Sequence, residues 1–136
     1  MDWITDQIAI GNVNDALAPD LAVDFILCLK PGCCADRSDF DAVCIPLVDG
    51  AGNNQALIRQ ALSELNQAVA DGLKVLVHCH AGRSRSVSVV ARYLMESMGI
   101  TAEEALALIQ QKRDIYLSQG IEEILKLMPC YIHVSK

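Results

Sequence analysis

Apolar residues along the chain fall into two alternating patterns: short unbroken runs, and longer stretches spaced by three and four positions. Residues 3–11 place Ile4, Ile8 and Ile10 ahead of Gly11 and Asn12, which predicts one or two short strands ending in a turn. Residues 24–29 form an apolar run ended by Lys30, Pro31 and Gly32; residues 42–48 form another, ended by Asp49, Gly50, Ala51, Gly52 and Asn53. Both predict buried strands entering loops. In residues 55–70, Ile58, Ala61, Leu62, Leu65 and Val69 recur at helical steps before Asp71 and Gly72, predicting an amphipathic helix. Residues 74–78 are a third strand-like run, followed by a short loop containing Gly82 and a helical stretch from about 84 to 98 that stops at Gly99. Thr101 and Glu104 make a capping-box pattern before Ala105, Leu106, Leu108 and Ile109, and a last helix is predicted over residues 119–128, ahead of Pro129.

Strands alternating with helices predict an α/β sandwich: a central, largely parallel sheet flanked by helices, with ligands beyond the carboxyl ends of the strands. Cys79 falls at one such end. The 136 residues fit one domain, 1–136. With 52% hydrophobic and 21% charged residues, the disordered and fibrous classes are excluded. The first residues lack a basic start and apolar run, and no apolar stretch approaches membrane-spanning length, so a cytoplasmic protein without stable membrane insertion is expected. Eleven basic against seventeen acidic side chains give a net charge of −6, which argues against nucleic acid as a partner. The six cysteines include no C-x-x-C pair, so free thiols and no metal site are expected.

The candidate chemistry lies in the segment from His78 to Ser86, where a thiol, Cys79, ends a strand and an arginine, Arg85, follows six positions later as a helix begins. Successive amides in such a loop can point inward and the helix N-terminus adds partial positive charge, an arrangement suited to a phosphate dianion. Gly82 allows the tight turn. The same donors lower a thiol's pKa from about 8.5 toward the reactive range, making Cys79 a nucleophile. Arg85 offers a planar fork to two phosphate oxygens.

Taken together, His78, Cys79, five intervening residues, Arg85 and Ser86 resemble the signature loop of the cysteine-based protein tyrosine phosphatases, and Ala81, Gly82, Ser84, Arg85 and Ser86 resemble its dual-specificity branch. Ile45, Pro46, Leu47, Val48 and Asp49 are similar to that family's general-acid segment, Gly11 and Asn12 to its early strand-end turn, and residues 87–95 to the helix after the loop. The resemblance implies a dual-specificity phosphatase fold and a phosphocysteine mechanism needing no cofactor. It makes Asp49 the acid that protonates the leaving oxygen and then the base for water, and Ser86 the partner of the departing thiolate. His78 orients the loop, while His80, Ala81, Gly82, Arg83 and Ser84 line the phosphate cradle with Arg85. Residues 113–121 depart from the pattern, having no Pro- and Asn-containing stretch near a Phe.

The implied substrates are phosphotyrosine, and phosphoserine or phosphothreonine, in proteins. The loop also resembles that of the phosphatidylglycerophosphate phosphatases, which keeps a lipid or another small phosphomonoester as the alternative. A non-catalytic phosphate-binding module is the rival from another class, although it would commonly lack the thiol, arginine or acid. Low-molecular-weight phosphatases and arsenate reductases carry the loop after the first strand, and rhodanese-like sulfurtransferases need no general acid. Asp36, Asp39 and Asp41 are rival acids placed before, not after, the apolar run. Cys33 and Cys34 raise redox protection of Cys79 as a minor possibility.

Overall fold

The structure, a computed structural model, describes residues 1–31 and 40–127. Five strands form one sheet: β1 (Asp2–Trp3), β2 (Ile8–Gly11), β3 (Phe25–Cys28), β4 (Asp41–Cys44) and β5 (Val75–His78). Their order is β1-β2-β5-β3-β4, parallel throughout except for β1, which pairs antiparallel with β2. The helices are α1 (Val13–Ala16), α2 (Gln55–Ala70), α3 (Arg85–Met98) and α4 (Ala102–Gln110), followed by a 3-10 helix at Ile121–Ile124.

The period-2 alternation of a strand divides each run between two faces. Ile8, Ile10, Phe25, Leu27, Val75 and Val77 pack with Ile58, Leu65, Val87, Val90 and Ile109 in the main core under α2, α3 and α4. Ala9, Ile26 and Leu76 point the other way, to a smaller cluster with Ala16 and Val23. Because both faces are covered, β2, β3 and β5 are buried along their whole length, as their unbroken apolar runs require. No helix among the described residues is long and apolar enough to cross a membrane.

Helix ends follow their local signals. Gly99 closes α3 in the left-handed region at φ 65°, and Thr101 and Glu104 cap α4 reciprocally. Asn12, expected only in a turn, caps α1 through a reciprocal pair with Asp15, a signal that Asn-x-x-Asp carried in the sequence.

Two expectations change. The strand β4 covers Asp41–Cys44, so only residues 42–44 of the run 42–48 are strand, and it is largely exposed because β4 is the sheet edge. Burial begins after the strand, at Ile45 and Leu47, whose amides bond the carbonyls of Cys28 and Leu29 at 2.8 and 3.0 Å. Pro46 between them has no N–H to give and suits an edge. The helix expected over 119–128 is instead a single 3-10 turn entered from Gly120 at φ 93°, a conformation that cannot belong to a right-handed helix. Ile121 and Ile124, three apart, point to the same side of that turn and are both buried; Met128 lies outside the described residues.

Leu65, fully buried at the middle of α2, tests the core that holds this arrangement. Leu65→Ala is expected to lower the unfolding free energy by about 2–5 kcal/mol in a urea titration, the range for large-to-small core substitutions.

Candidate active site

Parallel pairing in register brings Gly11, His78, Cys28 and Cys44 side by side at the carboxyl ends of β2, β5, β3 and β4. The segments that follow β3, β4 and β5 therefore converge on one side of the sheet, as the rule for ligand sites in parallel sheets anticipates. They line a cavity of about 360 Å³ with Lys30 and Pro31 after β3, Asp49 after β4, and Cys79, His80, Ala81, Arg83, Ser84 and Arg85 after β5.

Cys79 sits at the floor, 2% exposed. Its Sγ lies 3.2 Å from Ser86 Oγ in the first turn of α3. Burial pushes the thiol up, but it is outweighed by the Ser86 hydroxyl, the backbone N–H groups of Ser86 and Gly82, and the Arg85 charge, which together hold the thiol below its ordinary value. His78, fully buried, is held below the ordinary histidine range, first by burial and then by the Lys30 charge, against the Cys79 carbonyl and Asp15, which act in the opposite sense. Its Nδ1 lies 3.3 Å from the Cys79 carbonyl oxygen, within the backbone of the loop.

The loop's carbonyls are all claimed from outside the cavity. His80 O accepts from the Val13 N–H at 3.1 Å and Arg83 O from the Tyr116 N–H at 3.0 Å. Ala81 O and Gly82 O accept from Arg113, at 3.3 and 2.7 Å. Since C=O and N–H of a trans peptide point in opposite directions, these bonds turn the N–H groups of residues 81–84 toward the cavity. Gly82 adopts φ 70°, and a Cβ there would lie 2.5 Å from Gly11 O, so only glycine fits. Ser84 occupies the cap position of α3 without capping it: its Oγ accepts from the Ser118 N–H at 3.0 Å. Among the first amides of α3, that of Ser86 is directed at Cys79. Arg85 reaches across to Leu47 O at 3.2 Å, and its Nε is buried without an acceptor among the described residues.

Asp49 is exposed on the opposite lip of the cavity. Asn53 closes its loop, accepting from the Val48 N–H at 2.6 Å and donating to Val48 O and Gly50 O at 2.9 and 3.1 Å. Glu123 in turn accepts from the Asn53 N–H at 2.9 Å, and a Cβ on Gly120 would lie 2.6 Å from Ala51, so the 3-10 turn sits hard against this loop.

Every residue singled out in the loop, with Asp49 and Ser86, is therefore gathered at one site; Ser86 and Gly82 stand behind the lining as donors to Cys79. The rival acid Asp41 opens β4, at the end of the sheet away from the cavity, while Asp36, Asp39, Cys33 and Cys34 lie outside the described residues. Sequence reasoning missed Lys30 and Pro31, which their position after an apolar run could have flagged. It also missed Asn53, Glu123 and Arg113, for which no local signal exists.

Residues 9–128 match the dual specificity phosphatase catalytic domain family. Dual specificity protein phosphatase 9 of Homo sapiens is 31% identical over 118 residues, 81% of this chain but 31% of that protein. Dual specificity protein phosphatase 12 of Rattus norvegicus is 41% identical over 70 residues, 51% of this chain and 21% of that protein. The match thus spans about a third or less of these relatives' length. In fold, the chain superposes on the crystal structure of human DUSP28 with a TM-score of 0.80 at 19% identity, covering 93% of each chain. With the family model matching most of its length and a thiol-to-arginine loop at the carboxyl end of β5, the chain belongs to the dual specificity phosphatase catalytic domain family.

Proposed function

We propose that this protein hydrolyses phosphomonoesters through a phosphocysteine intermediate on Cys79, with phosphotyrosine in proteins as the first substrate and phosphoserine and phosphothreonine alongside it. The observation that carries the reading is a buried thiol held below its ordinary pKa by donors that face the same cavity as Arg85 and Asp49. Residues 1–136 act as one catalytic domain, supported by the single sheet that all described strands share.

The phosphoryl group binds to the inward amides of the loop and to the Arg85 fork, with His80, Ala81, Gly82, Arg83 and Ser84 forming the cradle. The Cys79 thiolate attacks phosphorus; the S–P bond forms as the P–O bond to the leaving group breaks, and protonated Asp49 gives its proton to the leaving oxygen. Water then attacks the phosphocysteine, Asp49 takes a proton from it, the S–P bond breaks and inorganic phosphate forms. Ser86 Oγ–H donates to the sulfur as it regains its charge. Charge stabilisation comes from main-chain donors and Arg85, and proton transfer from Asp49, so the cycle runs without metal or cofactor. A free thiolate nucleophile and six cysteines with no C-x-x-C pair suit the reducing cytoplasm. The net charge of −6 disfavours an anionic bilayer as the place of work, which ranks protein substrates above lipid phosphates.

The deciding experiment is hydrolysis of an aryl phosphate in EDTA by wild type, Cys79→Ser and Asp49→Asn, with a phosphotyrosine peptide, a phosphothreonine peptide and a lipid phosphate run in parallel. Wild type is expected to turn over in EDTA, Cys79→Ser to lose turnover, and Asp49→Asn to lose about 10²–10⁴-fold in kcat, the usual worth of a general acid. An inactive wild type that still binds phosphate would establish the binding-module reading instead, and preferential turnover of the lipid phosphate would reverse the substrate ranking.

The thiol's pKa gives a second test with a definite sign. Removing the Ser86 hydroxyl removes a donor that favours the charged form. The midpoint for alkylation of Cys79 by iodoacetamide, below about 8.5 in wild type, should therefore move upward in Ser86→Ala, so that reactivity is lost first at the acid end.

A further inference from the structure

Residues 111–120 have no helix or strand, yet they form the back wall of the phosphate loop. Arg113 is the point of closest attachment. Its Nε–H donates to Gly82 O at 2.7 Å, an Nη2 hydrogen to Ala81 O at 3.3 Å, and an Nη1 hydrogen to Asp2 Oδ2 at 2.8 Å. One guanidinium plane thus holds two consecutive carbonyls of the loop, and a carboxylate on β1 fixes that plane from the other side.

The need for such a clamp follows from the glycine between those carbonyls. A Cβ on Gly82 would meet Gly11 O at 2.5 Å and Arg113 Nη2 at 2.6 Å, so packing admits no other residue. A glycine, however, leaves its two flanking peptides nearly free to rotate. Rotation of either would replace an inward N–H by an inward carbonyl, setting an oxygen lone pair against the Cys79 thiolate or a bound anion. The Gly82 N–H is one of the groups that hold the thiol below its ordinary value, and its orientation is fixed by where Ala81 O points.

We propose that Arg113, oriented by Asp2, is a positioning residue that locks the two peptides around Gly82 in their anion-binding orientation. The proposal rests on the reading of residues 79–85 as a phosphate site. Arg113 touches neither substrate nor thiol; it acts through the backbone. Its planar fork is essential, because an ammonium group at the end of a flexible stem is a point charge with no fixed plane to span two carbonyls and a carboxylate.

The test follows Cys79 alone, by site-resolved mass spectrometry of iodoacetamide alkylation across pH, with and without inorganic phosphate as protectant. It compares wild type, Arg113→Ala, Arg113→Lys and Asp2→Ala. The midpoint should rise and protection by phosphate should weaken about tenfold in Arg113→Ala and in Arg113→Lys, the scale of one or two lost hydrogen bonds to an anion. Asp2→Ala should move both quantities the same way by about threefold. A folded Arg113→Ala with the wild-type midpoint and protection overturns the proposal, and so does restoration of both by Arg113→Lys. Should Arg113→Ala fail to fold, Asp2→Ala decides: its half-exposed side chain leaves the core intact, and unchanged values there overturn the proposal. If wild-type Cys79 itself titrates as an ordinary thiol and phosphate gives no protection, the phosphate-site reading fails and takes the proposal with it. An altered variant beside a normal wild type separates the two.

Discussion

A buried thiolate survives only where the chain around it aims donors inward, and a loop can do that only if its carbonyls find partners on the outside. Here the outside partners come from three places far apart in sequence: the Val13 amide at the head of α1, the Arg113 guanidinium beyond α4, and the Tyr116 amide. The loop's conformation is therefore not its own property. It is imposed by a shell that exists only once the sheet has formed and α3 and α4 have packed on it, and the depressed thiol pKa is the chemical expression of that packing.

The residues proposed as nucleophile and acid sit in opposite solvent environments. Cys79 ends the central strand, with β2 and β3 on either side and a helix N-terminus ahead, so it is dry and surrounded by fixed dipoles. Asp49 follows the edge strand and is exposed. An acid on an exposed loop would wander without support. Asn53 closes that loop on itself, and Glu123 and Gly120 press it from outside. Arg85 joins the two halves, lining the phosphate side while donating to Leu47 O at the root of the acid loop.

What the sequence revealed divides along the same line. α2 was legible to the residue, because Ile58, Ala61, Leu62 and Leu65 repeat at helical spacing between Asn54 and Asp71. The loop from Cys79 to Ser86 was legible because thiol, arginine and hydroxyl are all local to one strand-loop-helix unit. β4 was misjudged: an apolar run does not say whether it lies inside the sheet or at its edge, and Pro46 was the only clue. The 3-10 turn was misjudged because helical spacing over so few residues cannot be told from two isoleucines three apart. Arg113, Asn53 and Glu123 were invisible for a more general reason. Each acts on backbone atoms distant in sequence, and a carbonyl acceptor leaves no mark in the amino-acid code. Side chains that do chemistry can be read from type and spacing; side chains that hold backbone can be read only from coordinates.

The charge distribution closes the physical argument. The chain as a whole is acidic, at −6, and would repel a phosphate dianion at long range. At physiological ionic strength, exposed charges more than about 8 Å apart are largely screened from one another, so the net charge matters little once a ligand reaches the cavity. There Lys30, Arg83 and Arg85 line the walls, with Asp49 as the only acidic side chain lining it among the described residues, and Arg113 stands behind the loop. Basic side chains thus outnumber acidic ones around the cavity, although the chain as a whole is acidic. On the function proposed above, such a distribution suits a phosphoryl group presented on a protruding side chain, which reaches the floor without bringing its surroundings against the acidic exterior.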